Sequence, residues 1–284
     1  MYERVENILK MAEEKNTAAI AFICMDFIMA RSVICAAEET NTPAIVMLYP
    51  EHASLQHTCN LSGYAAMVEE LASGVKVPVG LHRDHDYTYD SIVDAVGKGF
   101  RSVMMDGSMH DLDTNISMTK AVVRRAHELG AIVEGEIGHV GSAAEADNYR
   151  EDLFTKPDAA ERFCRESGVD SLAVSIGNAH GEYKETPHLN LKRLEEIKAA
   201  VKVPLVLHGG SGIPDDQLTV AFSKGIRKFN LGTEFLRKYY DAMQRFMDEN
   251  ADNPDPVKII NYPEYIQARL QPYVEERMKA LCRF

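Results

Sequence analysis

The stretch VPVGLHRDHD (77–86) joins an apolar run to a cluster of acidic and imidazole side chains. The run, Val77 to His82, is apolar on both faces, which is typical of a strand buried in a parallel sheet. Asp84 and His85 follow it after Arg83. Functional residues of α/β barrels lie at the carboxyl ends of the strands, so a metal-binding or acid–base site is expected here. An ordinary polar loop is the alternative.

Seven further runs rich in Val, Ile and Leu lie at 17–23, 44–49, 101–106, 131–137, 171–177, 203–208 and 226–232. Segments with helical periodicity separate them. One ends at Gly130, and another begins after Thr155, which we expect to cap it. This alternation predicts an α/β fold, a (β/α)8 TIM barrel with additional C-terminal helices from about residue 250. A doubly wound parallel sheet is the alternative architecture.

The composition of the chain indicates one large domain over residues 1–284, without a recognisable linker. The net charge of −12 disfavours nucleic acid and anionic membranes as partners but permits a small anionic substrate. Five cysteines without a CxxC spacing are typical of a reducing compartment. The charged N-terminus is not a signal peptide, and no apolar run approaches about 18 residues. We therefore expect a cytoplasmic protein.

Three of the ten histidines stand apart from the rest because separate predicted strand ends carry them. His85, His180 and His208 would meet at one barrel mouth, and three imidazoles with an open fourth position suit a catalytic zinc. Asp84 is either a base or a partner that orients a ligand. His139 is left unassigned. The histidines interpreted as structural or exposed are His52, His57, His110, His127 and His188.

Glycine and hydroxyl residues form a second pattern in HGEYK (180–184), HGGSG (208–212) and NLGTE (230–234). Backbone N–H groups of glycine-rich turns, a hydroxyl and a helix N-terminus together bind phosphate well, and barrels often bind it after strands seven and eight. Tight turns that need a positive φ are the alternative interpretation. Three such loops around one rim favour phosphate.

Several motifs of this chain are specific enough to indicate a family: GFRSVMMDGS (99–108), VEGEIG (133–138), DSLAVSIGNAHGEYK (170–184), PLVLHGGSGIP (204–214) and NLGTE (230–234). With them the chain resembles the class II, zinc-dependent ketose-bisphosphate aldolases, the fructose- and tagatose-bisphosphate group, over nearly its whole length. The sixth predicted strand has no Schiff-base lysine, so a Lewis-acid metal would stabilise the enediolate.

The resemblance implies a role for each matched residue. Asp84 would be the acid–base residue, His85, His180 and His208 the zinc ligands, and Glu136 a metal-proximal carboxylate. It also implies a sodium or potassium ion near the loops and a homodimer or homotetramer. The residues implied to hold the phosphate and the metal-bound end of dihydroxyacetone phosphate are Gly181, Lys184, Gly209, Ser211, Asn230 and Thr233.

Three departures from the family concern the distal end of the substrate. Ile23 replaces an Asn, Tyr49 replaces a small or hydroxyl residue, and Val257 stands at the position of an Arg that binds the distal phosphate. Lys258 could supply a point charge by a shift of one residue, without the bidentate geometry of Arg. These losses predict an aldehyde that carries no phosphate.

Two other departures lie closer to the chemistry. Asp86 replaces a glycine and either contacts substrate hydroxyls or caps the following helix, while Arg83 should point away from Asp84. In the loop after the fifth strand Ala144 stands at the position of a Glu, and Glu145 follows one residue later. Glu145 is the predicted acid that reprotonates the enediolate, with a shifted loop; slow turnover is the alternative.

The sequence thus predicts a zinc-dependent aldolase that cleaves a ketose 1-phosphate reversibly to dihydroxyacetone phosphate and a non-phosphorylated aldehyde. A ketose-1,6-bisphosphate aldolase with a rebuilt distal pocket is the alternative within enzymes. A non-catalytic sugar-phosphate binding protein is the alternative of another class.

Overall fold

The computed structural model describes residues 1–51, 60–252 and 255–284 and contains a closed barrel of eight parallel strands. The strands pair in sequence order and β8 closes on β1, so the predicted TIM barrel is confirmed and the doubly wound sheet is not. The strands are β1 (Ala19–Ile23), β2 (Ala44–Leu48), β3 (Val79–Asp86), β4 (Ser102–Met105), β5 (Ile132–Ile137), β6 (Ser171–Val174), β7 (Leu205–Leu207) and β8 (Ile226–Leu231).

Helices alternate with these strands and cover the outside of the barrel. The described α-helices are α1 (Val5–Glu14), α2 (Phe27–Thr40), α3 (Leu61–Ser73), α4 (Tyr89–Gly97), α5 (Leu112–Glu128), α6 (Pro157–Ser167), α7 (Leu191–Ala200), α8 (Asp215–Ser223), α9 (Thr233–Glu249) and α10 (Tyr262–Leu281). A 3-10 helix, Pro256–Asn261, and α10 are the predicted C-terminal addition, and α10 packs against α2 and α9. None of the described helices is long and apolar enough to cross a bilayer.

The N-terminal helix α1 packs under the barrel. Its buried residues Val5, Ile8 and Leu9 form one apolar cluster with inward residues of β1, β2 and β5. Gly80 in β3 permits this approach, because a Cβ there would lie 2.8 Å from Cγ2 of Val5. The amino end of the barrel is therefore apolar and closed, which leaves the carboxyl end for function.

The third strand is longer than its apolar run predicts. Asp84 and His85 were expected to follow it, but β3 continues to Asp86. Against β4 it advances three residues, from Arg83 to Asp86, while β4 advances two, from Val103 to Met105. This one-residue bulge changes the alternation of side chains at the point where the polar cluster begins.

The predicted cap of α6 is wrong. Lys156 precedes the helix without a side-chain cap, and Thr155 is fully buried. Its hydroxyl donates to the Ile137 carbonyl and accepts from the Ser175 amide at 2.9 Å. Thr155 thus joins the ends of β5 and β6, and Pro157, which needs no amide partner, begins the helix.

Candidate active site

The polar layers of the barrel follow from strand alternation. Residues two apart on one strand face the same side, so pairs from β3, β5 and β8 point inward together. The lower layer contains His82, Glu134 and Lys228, and the next contains Asp84, Glu136 and Asn230. All six are buried.

His85 joins this upper layer through the bulge in β3. In a regular strand it would point opposite to Asp84, yet both residues line one cleft of about 370 Å³ at the carboxyl end of the barrel. Arg83 points the other way, as predicted, where its Nε donates to Oδ2 of Asp86 at 2.9 Å. The bulge thus supplies the site with two consecutive side chains.

Neither interpretation of Asp86 is supported. Its carboxylate accepts from Arg83, from the Ser91 hydroxyl at 2.8 Å and from the Tyr87 amide at 2.9 Å, and it does not line the cleft. Thr88, rather than Asp86, is the side-chain cap of α4. Asp86 is a structural residue that ties the end of β3 to α4.

Three histidines converge at the carboxyl end of the barrel. His85, His180 and His208 each offer a ring nitrogen within 4.8 Å of the other two. Nδ1 of His208 and Nε2 of His85 are 2.9 Å apart. His85 and His180 line the cleft, whereas His208 is fully buried. This is the arrangement that the sequence predicted for a metal centre.

The second ring nitrogen of each histidine has a fixed partner. Asp106 Oδ2 lies 2.9 Å from Nδ1 of His85, and the Val140 carbonyl lies 3.0 Å from Nδ1 of His180. Glu134 Oε1 lies 2.8 Å from Nε2 of His208. Such partners hold the rings of metal-ligating histidines in one orientation, so the set suits a metal ion.

Glu136 lies close to this centre. Its Oε2 is 3.7 Å from Nδ1 of His208, is buried, and has no hydrogen-bond partner among the described residues. Oε1 accepts from the Val140 amide at 3.1 Å. An unpartnered carboxylate oxygen beside three convergent imidazoles is a further feature that a cation would satisfy.

The protein groups alone give this cluster an uneven distribution of charge. Burial lowers the pKa of His85, but Asp84 and Asp106 outweigh it and raise that pKa to about 10. Burial together with the charge of His85 lowers the pKa of His180 to about 3. Burial also opposes ionisation of Asp84, yet the nearby His85 and His208 hold its pKa below the ordinary value. This direction favours the carboxylate form of Asp84, which is the form that a general base requires.

The pKa values of the two glutamates of β5 are shifted in opposite directions, although burial acts to raise both. Burial raises the pKa of Glu136 to about 8, and the nearby carboxylate of Asp106 adds to this shift. For Glu134 the ammonium of Lys228 outweighs burial, and its pKa is held well below the ordinary value. Lys228 Nζ donates to both oxygens of Glu134, at 3.1 and 2.9 Å.

Five of the six residues predicted to bind phosphate line the same cleft as His85 and His180. Gly181, Gly209, Ser211, Asn230 and Thr233 all line it, and Thr233 begins α9, a helix without a side-chain cap. Gly209 has a φ of +62°, and a Cβ there would lie 2.2 Å from the Ala179 carbonyl oxygen. The loops after β6, β7 and β8 thus meet around a helix N-terminus, which is a favourable position for phosphate.

Three polar contacts connect this rim to its surroundings. Asn230 Nδ2 donates to Oδ1 of Asp84 at 3.1 Å, which joins the predicted phosphate end to the predicted base. Ser211 Oγ accepts from the Glu234 amide at 3.0 Å. Lys184 lies outside the cleft and lines an adjoining cleft of about 670 Å³, where its Nζ donates to the Ala144 carbonyl at 2.8 Å.

Glu145 lies on the loop after β5 but not on the cleft wall. The residue is exposed at the end of a 3-10 turn, Ala143–Glu145. The loop is attached to the site through His180, whose amide donates to the Gly141 carbonyl at 2.8 Å. The role predicted for Glu145 therefore remains a prediction.

The other predicted positions fall in three groups. Ile23 and Tyr49 line the cleft, and the Tyr49 ring lies 6.3 Å from that of His85, edge to face. The side chains of Val257 and Lys258, together with His52 and His57, lie outside the described part of the chain. The exposed histidines, as predicted, are His110, His127 and His188.

Four residues of the site had no role predicted from the sequence. His82, Glu134 and Lys228 are buried, and Asp106 is partly buried. Their signal is the period of two. Glu134 precedes Glu136 by two residues in VEGEIG, and Lys228 precedes Asn230 by two in IRKFNL, so each pair faces inward. Asp106 follows β4 as the other candidates follow their own strands.

A parallel barrel with three convergent histidines and a buried carboxylate at its carboxyl end is typical of a barrel enzyme with a candidate metal site. The sequence model described as "Fructose-bisphosphate aldolase class-II" matches residues 3–283. The chain belongs to this family, as its motifs predicted. It is an enzyme, an aldolase and thus a carbon–carbon lyase of carbohydrate metabolism.

Individual relatives agree with this assignment. The chain is 34% identical over 253 residues to the D-tagatose-1,6-bisphosphate aldolase subunit GatY of Klebsiella oxytoca, covering 88% of each chain. It superposes on the YdjI aldolase of Escherichia coli K12 with a TM-score of 0.85 at 32% identity, covering 99% of this chain and 98% of that one. It also superposes on the fructose-bisphosphate aldolase of Campylobacter jejuni with a TM-score of 0.84 at 22% identity, covering 99% of this chain and 95% of that one. At this identity the likeness is one of fold.

Proposed function

We propose that this aldolase uses zinc to cleave a ketose 1-phosphate to dihydroxyacetone phosphate and an aldehyde without phosphate. His85, His180 and His208 would hold the ion, with Glu136 beside it. The observation that carries the specificity is the cleft wall: none of its described residues is Lys or Arg. Lys and Arg are the strong charge-assisted donors to phosphate, and the glycine-rich loops that could replace them lie at the end proposed for the first phosphate.

The character of the wall supports this specificity. Ile23 stands where the family has an amide side chain, and its Cδ1 would lie 2.6 Å from a Cβ placed on Gly232. Met47, Tyr49 and Leu236 add further apolar surface to the same cleft. The acidic residues of the described wall are Asp84 and Asp106, whose carboxylates would disfavour a second phosphate beside them.

The residues have distinct roles in the proposed cleavage. Asp84 accepts the proton of the C4 hydroxyl, the C3–C4 bond breaks, and its electrons form the enediolate of dihydroxyacetone phosphate. Asn230 holds Asp84 in place through its hydrogen bond. When bound, zinc would supply a Lewis acid for the substrate carbonyl. Gly181, Gly209, Ser211 and Thr233 would hold the phosphate, with Lys184 at the outer edge.

Three further properties belong to this proposal. A sodium or potassium ion would bind near the glycine-rich loops, and the enzyme would assemble as a homodimer or homotetramer. We also propose a cytoplasmic location. Membership of the family supports the cation and the oligomer. The five cysteines without a CxxC spacing support the location.

Paired substrates test the proposed specificity. The zinc-loaded enzyme is assayed with ketose 1-phosphates and with the matching 1,6-bisphosphates, including those of fructose and tagatose. We expect kcat/KM to favour the 1-phosphate member of each pair that is cleaved. A clear preference for a bisphosphate would overturn this proposal and support the second candidate, a ketose-1,6-bisphosphate aldolase. The 34% identical relative, a D-tagatose-1,6-bisphosphate aldolase subunit, favours this candidate.

A further inference from the structure

We propose that His139 is the catalytic acid that protonates the enediolate carbon of dihydroxyacetone phosphate. This inference rests on the proposed function, because it assigns a step of that reaction. The step needs an acid on the cleft wall, and Glu145, the residue predicted for it, is exposed and does not line the cleft. His139 does line it.

The backbone around His139 is fixed to the metal centre. Its neighbour Val140 donates its amide to Glu136 Oε1 at 3.1 Å, and the Val140 carbonyl contacts Nδ1 of His180 at 3.0 Å. The His139 amide donates to the Leu153 carbonyl at 2.9 Å. Gly138 makes the turn possible with a φ of +75°, since a Cβ there would meet the Leu153 carbonyl at 2.8 Å.

Only one ring nitrogen of His139, Nδ1, has a contact with a described residue that orients the imidazole. Nδ1 lies 3.3 Å from the hydroxyl of Ser108, and Ser108 is held by its own amide, which donates to Asp106 Oδ1 at 3.0 Å. Nε2 forms no hydrogen bond with the residues that the structure describes. The ring also borders an outer cleft of about 250 Å³, so it can exchange protons with solvent.

The other titratable groups on the described cleft wall are less suitable acids. Asp84 is already used for the hydroxyl proton, and Asp106 is bound to His85. Partial burial raises the pKa of the Tyr49 and Tyr87 hydroxyls, which makes them weaker acids. Imidazole is the side chain whose ordinary pKa is closest to neutrality, which suits general acid–base work.

The step balances without another reactant. In cleavage, an N–H bond of the His139 imidazolium breaks and a C–H bond forms at the hydroxymethyl carbon of the enediolate, which gives dihydroxyacetone phosphate. The neutral imidazole then takes a proton from water. In condensation, the same imidazole removes that proton.

Exchange of the hydroxymethyl hydrogen of dihydroxyacetone phosphate with D2O isolates this step, since it needs no aldehyde. With zinc-loaded enzyme followed by proton NMR, we expect His139→Gln to slow exchange by about 100-fold or more. His127→Gln, which changes an exposed imidazole paired with Asp170 outside the cleft, is the matched control and should exchange at about the wild-type rate. Glu145→Gln tests the acid predicted from the sequence and should slow exchange less than His139→Gln does. Exchange in His139→Gln within about threefold of wild type would overturn the inference, as would an equal loss in Glu145→Gln or in the control.

A second readout separates a chemical role from a structural one. His139→Gln should keep its zinc content and melting temperature. During cleavage of the best ketose 1-phosphate it should release an enediolate that ferricyanide oxidises faster than in wild type. If the variant does not fold, Ser108→Ala replaces it, with an exchange rate about tenfold lower as the expected result and an unchanged rate as the contrary one.

The outcomes distinguish this inference from the function on which it rests. A wild-type enzyme that neither exchanges dihydroxyacetone phosphate nor cleaves any ketose phosphate removes the proposed function, and the inference with it. If the wild-type enzyme and the His139→Gln variant exchange the hydrogen of dihydroxyacetone phosphate at equal rates, the proposed function stands and only the inference about His139 is overturned.

Discussion

Asp84 and His85 are consecutive residues that both line the cleft, which a regular strand does not allow. The bulge opposite Val103 and Met105 resolves this conflict by adding one residue to β3. At the scale of single residues, it lets one strand supply both the proposed carboxylate base and a proposed imidazole ligand.

Asp84→Asn tests the proposed base. The substitution keeps the size of the side chain but removes the acceptor that takes the hydroxyl proton. We expect kcat for cleavage to fall by about 10²- to 10⁴-fold while zinc content stays near wild type. Steady-state kinetics and metal analysis measure the two quantities. Asp94→Asn, which changes an exposed carboxylate paired with Lys98, is the control. Undiminished cleavage in Asp84→Asn would contradict the assignment.

Asp106→Asn tests how His85 is held. The carboxylate contacts Nδ1 of His85 at 2.9 Å, and a neutral amide orients the ring less strongly. We expect zinc affinity to fall by about 10- to 100-fold, as for other partners of metal-ligating histidines. Competition with a chromophoric chelator gives the Kd. An unchanged Kd would show that Asp106 does not position the ligand.

At the scale of elements, much of the site was predictable from the periodicity of strands and helices. The positions where that periodicity is interrupted were not predictable. His180 and His208 follow short apolar strands, so the barrel rule placed them correctly at one mouth. The bulge in β3 has no local sequence signal, and the same sequence therefore left the role of Asp86 open. Thr155 precedes a proline as a helix cap would, but a tertiary contact with β5 and β6 determines its position.

Arg83→Met tests the contribution of the β3 end to stability. It leaves the buried Asp86 carboxylate without its cation, which costs about 3 to 5 kcal/mol when a buried pair is broken. Urea denaturation should show a loss of this order, partly recovered in Arg83→Met/Asp86→Leu. Arg4→Met, which breaks an exposed pair with Glu6, should change stability by less than about 1 kcal/mol. Equal effects of the two single changes would contradict the structural role of Asp86.

At the scale of the whole molecule, the barrel separates stability from chemistry. The amino end is filled by α1 and its apolar cluster, whereas the carboxyl end contains buried charges that only partly satisfy one another. A bound ion would relieve that end, so metal binding and stability should be linked.

Removal of metal tests this linkage. Zinc at about 1,000 times its Kd stabilises a folded protein by about 4 kcal/mol, so chelation should lower the melting temperature by several degrees. Differential scanning calorimetry with and without a chelator measures the shift. His208→Ala should melt at the same temperature in both conditions. A wild-type enzyme that is unaffected by chelation, in stability and in activity, would contradict a zinc-dependent mechanism.

The specificity of the whole cleft is the central claim, and condensation measures it most directly. Dihydroxyacetone phosphate is offered to the zinc-loaded enzyme with glyceraldehyde or with glyceraldehyde 3-phosphate, two aldehydes that differ only in the distal phosphate. Because the described cleft wall contains no Lys or Arg, kcat/KM should be at least tenfold higher for glyceraldehyde, a difference of about 1.4 kcal/mol. A higher kcat/KM for glyceraldehyde 3-phosphate would contradict the account.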